Sequence, residues 1–290
     1  MSDSRELEVT AGTWSNNDLA AETRSYSANE AILYALSIGV GLRGATEVDE
    51  LKYLREPGLQ TLPTFVTALP SVAIAAVTKS FAKEDDGVIL HRSQKLTMYA
   101  PVPAFGTVEI LRRIERATSP PRTVARVHNE VRMRGEKNLL ATIESEVVRR
   151  PREVVRAPHR SPAFTVQRPT PTLVVDLPSA RNQALLYRLL GDLNPIHVDT
   201  PIAYAAGFSS PILQGLVSYG MVGRALIKAL CADTPARMLD LSTRFTDAIF
   251  PGEALRLEVW IAERGLATFR LVATDRGVIV HDLGRFRFSE

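Results

Sequence analysis

The stretch "ILQGLVSYGMVGRALIKALC", residues 212–231, decides the fold. Apolar and small residues occupy nearly every side of a helix drawn over it, so we expect other parts of the chain to cover the helix on most faces. A curled sheet wrapped around the helix would provide that cover. Ser210 is predicted as the N-cap and Pro211 as the first helical residue, and the helix is expected to end before Pro235.

Strand patterns follow this helix directly. In "EALRLEVWIAE", residues 253–263, leucine, valine and isoleucine alternate with polar neighbours, which is typical of a half-buried strand. The segments "ATFRLVAT" at 267–274 and "VIVHDLGRFRF" at 278–288 are separated by the turn "DRG". The second half of the chain is therefore predicted to be a buried helix followed by an antiparallel meander.

The first half repeats this order of parts. The segment "TFVTALPSVAIAAVTKSF", residues 64–81, predicts an apolar helix that begins or kinks at Pro70. Turns that end at Gly106 and Gly252 occupy corresponding places in the two halves. The repeat predicts an α+β fold with two similar units of roughly 130 to 150 residues each. The strand-like segments of the first half are residues 88–99, 107–116, 123–133 and 139–150.

An arginine- and proline-rich run, "RRPREVVRAPHRSP" at residues 149–162, separates the two units. This composition is typical of a solvated linker, and a phosphate-binding strip is the alternative interpretation. We predict an N-terminal unit over residues 1–150, a linker over 151–165 and a C-terminal unit over 166–290.

Composition excludes several classes of protein. The 35 basic and 32 acidic residues give a net charge of +3, which lacks the concentrated basic character of nucleic-acid-binding proteins. One cysteine, Cys231, cannot form an internal disulfide, and the five histidines show no metal-ligand spacing. The first residues contain no apolar signal core, and no later stretch reaches about 18 apolar residues. We therefore expect a cytoplasmic protein without a membrane span.

A polar cluster interrupts the apolar second half in "RLLGDLNPIHVDTPIAYAAGF", residues 188–208. Pro195 disfavours the α conformation at Asn194, so this segment cannot be one continuous helix. On a regular helix Asp192 and His197 would point about 140° apart, whereas a bend can turn both toward one point. An acid and a histidine converging beside an apolar helix indicate proton transfer. The alternative is an ordinary Asn-Pro turn with Asp192 as a cap.

The segment that contains this cluster resembles the signature of the MaoC-like, hydratase 2 family of (R)-specific enoyl-CoA hydratases. Residues 187–220, "YRLLGDLNPIHVDTPIAYAAGFSSPILQGLVSYG", are similar to the family pattern G-D-x-N-P-[LIV]-H followed by A-G-F and P-I-L-H-G-L. The segment "LHRSQKLTMYAPVPAFG" at 90–106 resembles two-unit members, and the resemblance covers most of residues 29–288. It implies a double hotdog: two units, each an antiparallel sheet wrapped round a long helix, with one active site in the second unit.

The resemblance also implies a role for each matching residue. Asp192 and His197 would hold and deprotonate a water molecule, with Asn194 orienting it. That water would add to C3 of a trans-2-enoyl-CoA, or leave an (R)-3-hydroxyacyl-CoA in the reverse direction. The N–H of Gly215 would stabilise negative charge on the thioester oxygen. The residues expected to contact the substrate are Gly191, Phe208, Leu213 and Gln214.

On the same basis we expect a lyase of fatty-acid metabolism that acts on acyl-CoA thioesters, forms a homodimer and needs no metal or organic cofactor. Residues between Leu54 and Pro70 are expected to line the space for the acyl chain. Gln214 stands where the family usually has histidine, and glutamine cannot titrate. A hotdog protein that binds acyl thioesters without catalysis is therefore the alternative, and a thioesterase is a third possibility.

Other signals in the sequence are interpreted as structural. "GVGLRG", residues 39–44, matches a dinucleotide-binding pattern but lacks its βαβ context. Ser218 lies between glycines inside the predicted helix, which favours packing over a nucleophilic role. The remaining histidines show no partner pattern and are predicted to be structural or exposed; they are His91, His128, His159 and His281.

Overall fold

The computed structural model describes residues 15–42, 48–70, 87–119, 122–151 and 169–290. The elements of the first half are β1 (Ser15–Tyr26), α1 (Ala28–Ser37), β2 (Gly87–Met98), β3 (Gly106–Ser119), β4 (Arg122–Met133) and β5 (Ala141–Pro151). Those of the second half are β6 (Leu173–Pro178), α2 (Gln183–Arg188), α3 (Thr200–Ala205), α4 (Gly215–Leu230), β7 (Met238–Phe245), β8 (Ala254–Glu263), β9 (Leu266–Ala273) and β10 (Val278–Phe288). Short 3-10 helices span Val48–Tyr53, Pro63–Ala68, Pro195–His197 and Pro235–Arg237.

The ten strands form one antiparallel sheet in the order β1-β3-β4-β5-β2-β7-β10-β9-β8-β6. Counted from the outer edge of the sheet toward its centre, each half has its own strands in the same order: first, third, fourth, fifth, second. The halves meet where β2 pairs with β7, from Ser93 opposite Arg244 to Thr97 opposite Asp240. The internal repeat predicted from the sequence is confirmed, and the architecture is a double hotdog in which two five-stranded units share a continuous sheet.

The helix α4 is the buried helix that the sequence predicts. Tyr219, Val222 and Leu226 on this helix are fully buried. The Tyr219 hydroxyl donates to the carbonyl of Leu241 at 2.6 Å, which ties the helix to β7. At Gly220 an added Cβ would lie 2.6 Å from the hydroxyl oxygen of Tyr34 on α1. Glycine therefore allows α1 of the first half to pack closely against α4 of the second.

The start of α4 differs from the prediction. Ser210 and Pro211 lie outside the helix, which begins at Gly215 with Gln214 as its N-cap. Hydrogen bonds to neighbouring loops keep the preceding residues out of the helix: Ile212 N donates to the Ile196 carbonyl at 3.3 Å, and Leu213 N donates to the Ile249 carbonyl at 2.7 Å. These tertiary contacts outweigh the local preference of Ser-Pro to start a helix.

Several predictions fall partly or wholly outside the described residues. In the predicted first-half helix, Pro63–Ala68 form a 3-10 helix, and residues 71–81 lie outside the described part. The linker at 151–165 also lies outside it after Pro151, as does His159. The unit boundaries therefore remain predictions. Strand β1 was not predicted from the sequence; it pairs with β3 at the edge of the sheet.

Candidate active site

The polar cluster of residues 192–197 is built on a turn that the sequence specifies. Asn194 adopts φ −59° and ψ 118°, outside the α region, as expected for a residue before proline. Its Oδ1 accepts a hydrogen bond from Ile196 N at 3.2 Å, so Asn194 caps the 3-10 turn that follows. Asp192 Oδ1 accepts from Asn194 N at 3.2 Å, which fixes the carboxylate beside the same turn.

The bend brings the predicted acid and histidine together. His197 Nε2 lies 3.8 Å from Asp192 Oδ2. The other ring nitrogen, Nδ1, lies 2.8 Å from the carbonyl oxygen of Ile212. Because a carbonyl can only accept a hydrogen bond, Nδ1 carries the proton and, in the neutral ring, Nε2 is the free base. The turn therefore aims a proton acceptor at the space beside Asp192.

Burial determines the charge of this histidine. Desolvation lowers the pKa of His197 below its usual value, and the nearby Asp192 carboxylate and the Ile212 carbonyl oppose that shift in part. The side chain of His197 is 11% exposed and that of Asp192 is 33% exposed, so the pair lies at the boundary between solvent and interior. At neutral pH His197 is an uncharged base at the entrance of a largely apolar space.

The start of α4 lies in the same site. Gly215 is the first helical residue, and the helix supplies no acceptor for an N–H in its first turn. The ring of Phe245 packs against Gly215, where an added Cβ would lie 3.3 Å from Phe245 Cε1. Gln214 is buried, and its Nε2 donates to the Ala184 carbonyl at 3.1 Å. The backbone of α2 therefore holds the side chain of Gln214, which stands where the family usually has histidine.

These residues face a cavity of about 170 Å³ that is shared by the two halves of the chain. Strand β2 of the first half supplies one wall, and the polar turn, α4 and β7 supply the others. The sequence-predicted residues that line it are Asp192, Asn194, His197, Phe208, Leu213, Gln214 and Gly215. Its further apolar lining is Ile89, Leu90, Val148, Ile196, Ile212, Leu216, Phe245, Ala248 and Ile249.

Two parts of the chain expected near the substrate are not part of this cavity's lining. Gly191 does not line the cavity; it has φ +112° and reverses the chain after α2, which delivers Asp192 to the site. Residues 54–70 do not line it either, because Leu62 and Phe65 of that segment pack into the main core. Among the described residues, the first half reaches this cavity mainly through β2.

Three lining residues were missed as site residues. His91 and His281 flank the ring of Phe245, with ring centroids 4.8 and 4.9 Å away. Ser218 Oγ lies 2.8 Å from His281 Nε2 and 2.9 Å from the carbonyl oxygen of Gly215. His281, for which the sequence shows no partner pattern, is therefore paired with Ser218 in the structure. Both histidines adjoin irregular strand register, where the alternation of the sequence no longer tells which way a side chain points.

Comparison with known proteins identifies the family. The MaoC like domain matches residues 154–281, and the MFE-2 hydratase 2 N-terminal domain matches residues 25–119. A Mycobacterium tuberculosis protein named 3-hydroxyacyl-thioester dehydratase Y is 32% identical over 253 residues, which cover 83% of this chain and 84% of that protein. This chain belongs to the MaoC-like hydratase 2 family. The two matches lie in different halves of the chain.

Other matches to this MaoC-like chain support the same family and fold. The Arabidopsis thaliana protein named enoyl-CoA hydratase 2, peroxisomal, is 31% identical over 261 residues, covering 83% of this chain and 84% of that protein. The crystal structure of a MaoC-like dehydratase from Phytophthora capsici matches with a TM-score of 0.76 and 23% identity, covering 94% of this chain and 95% of that chain. A likeness at that identity shows the fold alone. Another solved protein with the same fold is described as a double hotdog.

The part of this MaoC-like chain that the structure describes contains neither a metal-binding cluster nor a helix able to span a membrane. No group of three or more histidine, cysteine, aspartate or glutamate side chains there could hold a metal ion. No helix in the described part is long and apolar enough to cross a membrane.

Two cavity histidines, the buried His281 and the partly exposed His91, predict a loss of stability in acid. Burial lowers the pKa of His281 to about 3 and that of His91 to about 4. In the unfolded chain a histidine has a pKa of about 6.5, so it becomes protonated as pH falls below that value. In the folded protein the same histidine stays neutral, and the free energy of unfolding therefore decreases with falling pH. We expect His281 alone to remove on the order of 2 kcal/mol of unfolding free energy between pH 7 and pH 5.

Urea unfolding at pH 7 and pH 5 measures this change in unfolding free energy for the native protein and for His281→Phe. The change in unfolding free energy between the two pH values should be smaller in the variant, whatever its stability at pH 7. Equal pH dependence in the two proteins would contradict the buried, neutral state of His281.

Proposed function

We propose that this chain is a hydro-lyase that interconverts trans-2-enoyl-CoA and (R)-3-hydroxyacyl-CoA. The observation that carries the proposal is the convergence of His197 Nε2 and Asp192 Oδ2, 3.8 Å apart, on a cavity that also contains the start of α4. Relatives that match most of the chain are named as a dehydratase of 3-hydroxyacyl thioesters and as an enoyl-CoA hydratase, which supports the reaction class.

In this proposal the acid and the histidine share one water molecule. A water within about 2.8 Å of both acceptor atoms donates one hydrogen to each and keeps a lone pair for C3 of the substrate. As its oxygen bonds to C3, one proton moves to the pair, and the pair returns a proton to C2. Asn194 Oδ1 is already bonded to Ile196 N, so its amide N–H group is the part that would contact the water.

The start of α4 would stabilise the charge that develops during this addition. Electron density moves from the C2–C3 double bond toward the thioester oxygen, where an enolate forms. The N–H of Gly215, unpaired within the helix, is proposed as the donor to that oxygen, and the positive end of the helix dipole adds to the effect. Phe208, Leu213 and Gln214 would contact the substrate from the cavity wall.

The remaining expectations belong to the same proposal. The substrate is an acyl-CoA thioester, the addition of water needs no metal or organic cofactor, and the protein acts as a homodimer in fatty-acid metabolism. The sequence predicts the cytoplasm as its location, whereas the Arabidopsis relative is named peroxisomal.

A second candidate function follows from Gln214. If the reaction requires histidine at that position, the protein binds acyl thioesters without converting them. The test is the absorbance of the enoyl-thioester band during incubation with trans-2-enoyl-CoAs of short to long chain. Loss of the band supports the hydratase, whereas binding of the same compounds with no loss across the series supports the second function.

Substitution of Gly215 tests the proposed oxyanion donor. We expect Gly215→Ala to lower kcat by about tenfold or more, with a smaller change in KM, because the new methyl group would lie 3.3 Å from Phe245 and displace the first helical turn. Steady-state kinetics with one enoyl-CoA measure this effect.

Gly223→Ala is the matched control for this experiment. Gly223 lies on the same helix outside the cavity, and an added Cβ there would lie 2.8 Å from Thr64 Cγ2. We expect the control to reduce stability while its folded fraction keeps the native kcat. A native kcat in Gly215→Ala would rule out a precisely positioned donor at that residue.

A further inference from the structure

Two polar clusters face the cavity, and the addition of water uses only one of them. The outer polar cluster consists of Asp192, Asn194 and His197. The inner polar cluster consists of His91, Ser218 and His281, contributed by β2, α4 and β10. Strand β2 belongs to the first half of the chain, so the inner polar cluster joins both halves.

Two members of the inner polar cluster lie deeper than the groups proposed to react, and the third, His91, is partly exposed. Ser218 and His281 are each 1% exposed, whereas the Asp192 side chain is 33% exposed. Ser218 is three residues beyond Gly215 on α4, about 4.5 Å further along the helix axis. The CoA part of a bound thioester has to extend to solvent. The part of the substrate that reaches the inner polar cluster is therefore the acyl chain.

This cluster has hydrogen-bonding capacity that the protein does not use. His281 Nδ1 and His91 Nε2 are inaccessible to solvent and have no hydrogen-bond partner among the residues that the structure describes. Buried polar atoms are normally paired, because leaving one unpaired costs stability. Burial also lowers the pKa of both rings, so they offer neutral donors or acceptors.

The bond between Ser218 and His281 indicates which ligand group fits. If the serine hydroxyl donates to the Gly215 carbonyl, His281 Nε2–H donates to the serine and Nδ1 is an acceptor. If the serine donates to Nε2, Nδ1 carries the hydrogen and is a donor. A hydroxyl group both donates and accepts, so it satisfies Nδ1 in either tautomer.

We propose that the site takes acyl thioesters whose acyl chain carries a hydroxyl group beyond the reacting carbons, and that the inner polar cluster binds this hydroxyl. The inference rests on the proposed function for the placement of the acyl chain in the cavity. The volume of about 170 Å³ is more than ten times the roughly 10 to 15 Å³ that holds one water molecule by the same measure. The space is therefore large enough for a short substituted chain.

The test is calorimetric binding of saturated acyl-CoAs, which need no turnover. Hexanoyl-CoA is compared with 4-, 5- and 6-hydroxyhexanoyl-CoA on the native protein. We expect at least one hydroxylated compound to bind at least tenfold more tightly than hexanoyl-CoA, because an apolar chain leaves the inner polar cluster unpaired. Equal or tighter binding of hexanoyl-CoA against all three would overturn the proposal.

Variants locate the effect. The relevant ratio is the dissociation constant of hexanoyl-CoA divided by that of the hydroxylated compound that binds most tightly to the native protein. His281→Phe keeps an aromatic ring beside Phe245 and removes the hydrogen-bonding nitrogens, so this ratio should approach one. Ser218→Ala should lower the same ratio and serves as the second variant if His281→Phe does not fold. His128→Phe, the same substitution on β4 outside the cavity, should keep the native ratio. A native ratio that persists in His281→Phe would contradict the proposed site.

Failure of this inference is separate from failure of the proposed function. The enoyl-absorbance assay reports turnover, whereas the binding ratio compares saturated compounds, which lack the C2–C3 double bond that hydration requires. If plain enoyl-CoAs are converted but hexanoyl-CoA and its hydroxylated counterparts bind equally, the proposed hydroxyl site is ruled out and the hydratase proposal is unaffected. A hydroxyl preference without turnover would support the inner site in a binding protein.

Discussion

Asp192→Asn is expected to lower kcat for the hydration of trans-2-enoyl-CoA by about a hundred-fold or more. An amide holds no negative charge and cannot take a proton from the shared water. The substitution should leave the fold unchanged, because the new Oδ1 can still accept the hydrogen bond from Asn194 N that the carboxylate accepts at 3.2 Å. Steady-state kinetics and thermal unfolding of the same preparation measure the two effects.

Two further variants make this prediction specific. His197→Gln should lower kcat by a similar factor, because it removes the base whose Nε2 lies 3.8 Å from Asp192 Oδ2. Asp275→Asn makes the same chemical change on an exposed turn outside the cavity and should keep the native rate. A native kcat in both Asp192→Asn and His197→Gln would end the assignment of this pair to the reaction.

Phe269→Ala is expected to lower the free energy of unfolding by about 3 to 5 kcal/mol. Phe269 on β9 is fully buried in the main core and lies opposite Gly284 of β10. A Cβ at Gly284 would lie 2.6 Å from Phe269 Cγ, so the ring fills the space that a side chain at Gly284 would take. The alanine variant leaves that space empty between two strands of the second unit.

Urea unfolding of Phe269→Ala and Phe105→Ala measures the difference. Phe105 is 70% exposed, so removal of its ring should change the unfolding free energy by roughly 0.5 kcal/mol or less. Similar losses in the two variants would mean that the ring of Phe269 is not part of the core.

Regular periodicity explains why most of the fold could be predicted. The alternation in residues 253–263 corresponds to β8 (Ala254–Glu263), and the apolar helix at residues 212–231 corresponds to α4. The two-unit repeat appears directly in the order of strands within each half of the sheet. In the candidate site, Pro195 allowed the prediction that Asp192 and His197 converge, since its effect on the preceding residue is local.

Features that depend on tertiary contacts could not be predicted in this way. The true start of α4 is set by hydrogen bonds from Ile212 and Leu213 to distant loops, which no local pattern reveals. The inward direction of His91 and His281 depends on nearby irregularities in strand register. Local periodicity describes a regular strand well and fails where a bulge redirects a side chain.

The pair Asp192 and His197 is proposed to direct water to one face of an enoyl thioester. The most direct test is incubation of the native protein with trans-2-butenoyl-CoA, followed by chiral analysis of the 3-hydroxybutanoyl product. We expect the enoyl absorbance to fall and the product to be the (R) enantiomer. Persistence of the enoyl band with folded protein, or formation of the (S) product, would contradict the proposed function.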